Sequence, residues 1–207
     1  VIRDSILRSF NVADFKQLLE RLSGIVDREF VRTGPDKTGE YAVDKRLPDA
    51  VVFPGNTDEV SKVVTLANRE NLAVVPCGSR TKIAMGNRPR RLDLVICTSR
   101  MNHMIDVDTS NLTITVEAGV KFRDIQARLA TQEDRCYLPL NDLATQSDDV
   151  ICSDRSHSGC FLPVDPAFAD LATIGGIIAA NSSGSRRLLY RNIRDSILGV
   201  RMTAPTG

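Results

Sequence analysis

The sequence predicts an α+β fold, and three features of its 207 residues carry that expectation. The first is a strand-helix-strand pattern in "DAVVFPGNTDEVSKVVTLANRENLAVVPCG", residues 49–78. The second is a hairpin pattern in "MIDVDTSNLTITVEAG", residues 104–119. The third is size and balance. With 42% hydrophobic and 26% charged residues, the chain can bury the core of one sizeable domain or two small lobes, and it holds no apolar run long enough to span a bilayer.

In chain order, "NVADFKQLLERL" (11–22) places Val12, Phe15, Leu18, Leu19 and Leu22 at helical spacing, with Asn11 as cap, and predicts a leading amphipathic helix. "RTGPDKTGEY" (32–41) breaks that pattern with two glycines and a proline and reads as a loop. A strand is expected over 50–53. The helix after it is capped by Asn56 or Thr57, has Asp58 and Glu59 in its first turn, and has an apolar face of Val60, Val63, Val64 and Ala67. A second strand is expected over 72–75 and a third over 91–99. The hairpin turns at Asp108 to Asn111, where Asp, Ser and Asn supply turn chemistry. Phe122, Ile125 and Leu129 then space another helix, and residues 132–163 lose all periodicity, an insertion or a functional loop. A final strand is expected over 196–204. It ends in "APTG", a turn signal for a return strand that does not follow, so the chain reads as a fragment or as a domain completed by another chain.

Charge and cysteine content exclude several classes. Twenty-seven basic residues against 26 acidic ones give a net charge of +1, with no global field to draw the protein onto nucleic acid, and "RPRR" (88–91) reads as a solvated loop. Five irregularly spaced cysteines argue against a disulfide framework and fit a reducing, cytoplasmic compartment, with any membrane association made through partner subunits. Cys136, Cys152, His157 and Cys160 share one segment. Free thiols explain them more simply than a metal or iron–sulfur site, so no metal is expected.

Two stretches are short of side chain. In "VVPCGSRTKIAMG" (74–86), Gly78, Ser79 and Thr81 at a strand end can form a plain tight turn, or they can aim backbone N–H groups into one concavity that accepts a phosphate. The spacing fits neither GxGxxG between a first strand and its helix nor GxxxxGK followed by Ser or Thr. In "LATIGGIIAANSSG" (171–184), the small residues can serve close helix packing, or offer a flat surface to a ring system with Asn181 bonding its edge.

Taken in order, "PDAVVFPGNTDEV", "VVPCGSRT", "LDLVICTSRMNHMIDVD", "LTITVEAGV", "FLPVDP" and "ATIGGIIAANSSGSRRLLYRNIRDSILGV" resemble the p-cresol methylhydroxylase-type FAD-binding domain of the FAD-linked oxidases, in particular the FAD subunits of glycolate oxidase and the D-lactate dehydrogenases. The resemblance covers residues 41–207. It implies two α/β subdomains (41–100 and 101–207) after a lead-in over 1–40, with an insertion at 132–163 and a truncated C-terminus.

It also implies that Cys77, Gly78, Ser79, Arg80, Thr81 and Lys82 wrap the FAD pyrophosphate, and that Pro166, Thr173, Gly175, Gly176, Asn181 and Gly184 lie along the flavin and its ribityl chain. Ser79 stands where a glycine is common, which a negative φ tolerates. Arg80 aligns with the histidine that tethers FAD covalently in some members, so non-covalent FAD is implied. Arg191 replaces a glycine usual after the tyrosine of "RRLLY". The substrate implied is a small 2-hydroxy acid such as D-lactate or glycolate, giving a hydride to the flavin, with a C-terminal domain or another subunit as electron acceptor and supplier of the acid–base groups. No catalytic residue is named. Arg186, Arg187, Arg191 and Arg194 read as surface arginines rather than a carboxylate clamp, and His103 as a partnered structural histidine. Two rival readings stay open: the same cofactor with an alcohol, amine or sugar substrate, and a non-catalytic piece that keeps the fold without cofactor.

Overall fold

The computed structural model describes residues 12–130 and 160–206, which form two compact units: one of the residues through Met101 with the tail from Leu198, the other of Asn102–Ile197. Most of the 132–163 segment, with Cys136, Cys152 and His157, lies outside the described residues, as does Asn11. No helix among the described residues is long and apolar enough to cross a membrane.

The first unit is built on a four-stranded sheet. Its strands are β1 (Val31–Thr33), β2 (Ala50–Val52), β3 (Val74–Cys77) and β4 (Leu94–Cys97), in the order β1-β2-β4-β3. β4 runs parallel to both β2 and β3, and β1 pairs antiparallel with β2. Sheets with parallel strands are covered on both faces, and their central strands are therefore apolar throughout. The alternation in β2 and β4 shows both faces at work. Ala50, Val52, Leu94 and Ile96 meet Leu18, Leu22 and Val26 of α1 (Val12–Val26) and Val63 and Ala67 of α3 (Thr57–Arg69). Val51, Phe53, Val95 and Cys97 turn the other way, onto Tyr41, Val43 and Leu92. Asn56 caps α3 by accepting the Glu59 N–H at 2.9 Å, while the Glu59 carboxylate accepts the Gly55 N–H at 2.8 Å, a reciprocal cap.

The second unit holds the hairpin of β5 (Met104–Asp108) and β6 (Thr113–Val116), antiparallel, with Asp108 accepting the Asn111 backbone N–H at 3.0 Å across the turn. His103 is exposed and partnered: its Nδ1 lies 2.8 Å from Glu117 at the open end of the hairpin. Helices α4 (Phe122–Ala130), α5 (Ile174–Ala179) and the single turn α6 (Arg187–Tyr190) follow. Ile125 and Leu129 of α4 pack with Val120, Cys160 and Ile174, and Phe122 packs with Val164, Ala172, Ile177 and Ile193. Gln126 holds the chain after Cys160 by accepting the Leu162 N–H at 2.8 Å and donating to its carbonyl at 3.3 Å.

Three expectations change. The 32–41 loop contains the end of β1 and the short helix α2 (Pro35–Thr38), because Gly34 at φ +87° turns the chain and Pro35 suits a first helical position. The second strand starts later, at Val74, and runs through Cys77. The expected strand over 196–204 is absent: no described strand pairs with it, and Leu198, Val200 and Met202 are 86%, 61% and 80% exposed. An alternating apolar pattern proposes a strand, but only a neighbour's N–H and C=O groups make one.

Candidate functional site

The loop after β3 begins inside the sheet. Cys77 is the register partner of Cys97 on β4, and the two thiols shift each other's ionisation. Cys97 Sγ also donates to the Gly78 carbonyl at 3.7 Å, and Thr98 Oγ1 donates to the Cys77 carbonyl at 3.4 Å. The Cys77 thiol lowers that of Cys97, and Cys97 together with burial drives the Cys77 thiol upward.

Past Gly78, Ser79 keeps out of the left-handed region and Arg80 enters it, with φ +65°. The Arg80 guanidinium explains how a non-glycine residue is held there. It donates to the Glu40 carboxylate at 2.8 Å and to the Glu40 carbonyl at 3.2 Å, and stacks 4.5 Å from the centre of the Tyr41 ring. The same hydrogen bond holds the Glu40 carboxyl below its ordinary range, and burial raises the Tyr41 phenol. Two tight turns close the loop, Ile83 N–H to the Arg80 carbonyl at 3.2 Å and Met85 N–H to the Lys82 carbonyl at 3.1 Å. The N–H groups of Ser79, Arg80, Thr81 and Lys82 donate to no backbone carbonyl of the described residues. Successive amides left free in a turn form an anion-binding concavity.

The second candidate stretch lies in the other unit and is built differently. Thr173, 4% exposed, stands at the start of α5 and pairs with Lys121 in a single β-bridge. The Ile174 and Gly175 N–H groups donate to the Val120 and Ala118 carbonyls, both at 2.9 Å. A Cβ on Gly175 would lie 2.9 Å from that Ala118 oxygen, whereas one on Gly176 would meet only the Thr173 hydroxyl, at 3.3 Å.

At the other end of α5, Asn181 takes φ +48° while its N–H donates to Ile178 and the Ser182 N–H to Ile177, the paired bonds of a left-handed helix end. Gly184, at φ +66°, presses against the Asp165 carbonyl, next to the buried Pro166. Ser183 ties both neighbours in: its carbonyl accepts the Asp165 N–H at 2.9 Å and its hydroxyl accepts the Ile193 N–H at 2.8 Å. Within this stretch, Asn181 Oδ1 is buried without a hydrogen-bond partner among the described residues.

The arginines beyond this stretch do not converge on a clamp. Arg186 lies over the Phe161 ring at 5.3 Å, Arg194 reaches the Ala179 carbonyl at 3.4 Å, and Arg187 and Arg191 are exposed. No group of three or more metal-ligating side chains occurs among the described residues. Sequence reading missed Cys97, Tyr41 and Glu40 as neighbours of the loop. The parallel pairing that aligns Cys77 with Cys97 was available to it in principle; the fold of 39–41 onto Arg80 had no local signal.

Compared with known proteins, residues 48–145 and 155–207 match the family described as an FAD binding domain. Among curated proteins, the chain is 30% identical over 199 residues to the glycolate oxidase subunit GlcD of Bacillus subtilis, covering 94% of this chain and 36% of that protein. It is 32% identical over 167 residues to the alkyldihydroxyacetonephosphate synthase of Trypanosoma brucei brucei, covering 78% and 23%. To a D-lactate dehydrogenase of Anaerostipes hadrus it is 29% identical over 163 residues, covering 79% and 29%. The chain thus spans about a third or less of the length of these relatives. Among solved structures, an alkyldihydroxyacetonephosphate synthase superposes with a TM-score of 0.70 at 20% identity, over 92% of this chain and 35% of that one. p-Cresol methylhydroxylase superposes with a TM-score of 0.52 at 17% identity, over 58% and 25%. These likenesses show the p-cresol methylhydroxylase-type fold.

Proposed function

The chain belongs to the FAD binding domain family, and from that premise we propose that it holds FAD non-covalently in a flavoprotein that oxidises a small 2-hydroxy acid of the D-lactate or glycolate type. The observation that carries this reading is the row of free amides from Ser79 to Lys82 at the end of β3. A pyrophosphate needs several donors and little side-chain bulk, and this loop offers both without a cluster of cations. Arg80, aligned with the position of a covalent tether in some members, is turned onto Glu40 and Tyr41 and carries no nucleophile for such a bond.

In the second unit, Pro166, Thr173, Gly175, Gly176, Asn181 and Gly184 are assigned to the flavin and its ribityl chain, and the buried, partnerless Asn181 Oδ1 fits a polar group of the cofactor. Bound FAD supplies the acceptor for the hydride leaving a CH–OH carbon. The chain's own work is to hold and to exclude: Gly78 and the amides after it orient the phosphates, and the apolar residues beneath Thr173 and Ile177 keep water from that wall. The acid–base groups, the carboxylate-binding groups and the electron acceptor belong to a further domain or to a partner subunit.

A second reading is favoured by the 32% identity to a protein named as a synthase: the same FAD scaffold serving a different substrate class. Titration with FAD, followed by quenching of flavin fluorescence, tests the cofactor, and saturable uptake is the expected result. Bleaching of the flavin absorbance by D-lactate or glycolate in the full-length protein then separates the two readings. A protein that takes up FAD and is bleached by neither acid overturns the hydroxy-acid assignment, and one that takes up no FAD overturns both.

A further inference from the structure

Two thiols sit at the root of the phosphate loop, and one of them, Cys77, begins the stretch expected to wrap the pyrophosphate. Cys77 and Cys97 are free, are register partners on β3 and β4, and belong to one apolar cluster with Tyr41 and Ile83. Register partners on adjacent strands have main chains about 4.8 Å apart, within the span that a disulfide bridges without backbone movement. Their surroundings suit a reactive pair. Arg80 favours the ionised sulfur of either thiol, Cys97 is the more acidic of the two and buried, and Cys77 is the more exposed.

We propose that Cys77 and Cys97 form a reversible dithiol–disulfide site whose oxidation resets the phosphate loop. With hydrogen peroxide as the oxidant, the Cys97 thiolate attacks one peroxide oxygen and the O–O bond breaks. The departing hydroxide takes a proton and leaves as water, and Cys97 becomes a sulfenic acid. The Cys77 sulfur then attacks the Cys97 sulfur, the S–O bond breaks, and the hydroxyl leaves with the Cys77 proton as a second water. The two sulfurs lose two electrons and the peroxide gains them. A dithiol reductant reverses the change by exchange.

The consequence for the loop follows from its hydrogen bonds. The Cys97 thiol proton that binds the Gly78 carbonyl is gone in the disulfide, and so is the sulfur's capacity to carry a negative charge beside Arg80. The first change falls on Gly78, which precedes the row of free amides, and the second on Arg80 within it. Only the effect on cofactor affinity rests on the FAD reading; the disulfide itself does not.

The experiment treats the folded protein with hydrogen peroxide, blocks the remaining thiols with iodoacetamide, digests without reductant and maps linked peptides by mass. The expected product joins the Cys77 peptide to the Cys97 peptide with the loss of two hydrogens. It forms at about tenfold less peroxide than oxidises Cys160, reverts with dithiothreitol, and is lost in Cys77→Ser and Cys97→Ser alike. In Cys77→Ser, dimedone is expected to label Cys97, which shows that the variant is reactive rather than merely unfolded. Full alkylation of both residues after peroxide, or linkage to other cysteines instead, overturns the proposal. FAD titration of the two forms reads the consequence, with an affinity lower by about tenfold expected after oxidation. Equal affinity overturns the loop effect. Absence of FAD binding in both forms overturns the cofactor reading, and the linked peptide then still decides the thiol pair.

Discussion

The loop over 78–82 and the run over 173–184 are both short of side chain, yet the chain uses that shortage in opposite ways. In the run, the missing side chains let the protein close on itself: Gly175 admits the Ala118 carbonyl, Gly184 admits Asp165, and the left-handed Asn181 ends a helix with its bonds made. In the loop the amides are left over, and the one strained residue, Arg80, is fastened from outside by Glu40 and Tyr41. Bare backbone can therefore mean room for the chain or room for a ligand. The list of satisfied N–H groups tells which.

The largest effect expected is at Gly184. A methyl group there collides with the Asp165 carbonyl while the backbone is held at φ +66°, and neither partner is a flexible side chain that can swing away. Gly184→Ala is expected to cost about 3 kcal/mol or more, read as a lowered midpoint in urea with unchanged slope. Gly175→Ala comes next. Its new methyl would sit 2.9 Å from both the Ala118 oxygen and the Ala118 Cβ, so β6's exit and the start of α5 must part slightly, at about 2 kcal/mol. If either alanine variant unfolded like the parent, the run would not be packed as described, and the contrast with the loop would fail.

These positions also show how far the sequence could be read. The helix capped by Asn56, the hairpin turning at Asp108, and the strands β2 and β4 were legible because each rests on a local signal: a cap, a turn residue, or an unbroken apolar run. β1 escaped because three residues followed by Gly34 and Pro35 carry no period and become a strand only by pairing with β2. The 196–204 stretch failed in the opposite direction, with a strand's alternation and no neighbour to bond. At the site, small residues pointed to both stretches, but Gly175 facing Ala118, 57 positions earlier in the chain (175 − 118), is a fact of packing. The meeting of Arg80 with Glu40 and Tyr41 depends on a register that no short window contains.

The smallest effect sharpens the comparison most, because it sets two arginines of nearly equal φ against each other. Arg80 and Arg191 have φ of +65° and +67°, and Arg191 combines this with ψ −162°, a conformation that only glycine adopts freely. Arg191 ends α6 with an exposed side chain, so replacing it by glycine removes strain and little else. Arg191→Gly is expected to stabilise the protein by about 1 kcal/mol, measured as a raised denaturant midpoint. At Arg80 the same relief of about 1 kcal/mol is offset by loss of the Glu40 ion pair and the Tyr41 stack, so Arg80→Gly is expected to leave stability within about 0.5 kcal/mol of the parent. Equal gains at the two sites would mean that Glu40 and Tyr41 contribute nothing to holding the loop. A gain at Arg191 alone shows that the loop's strained residue is held from outside, while its neighbouring amides stay free.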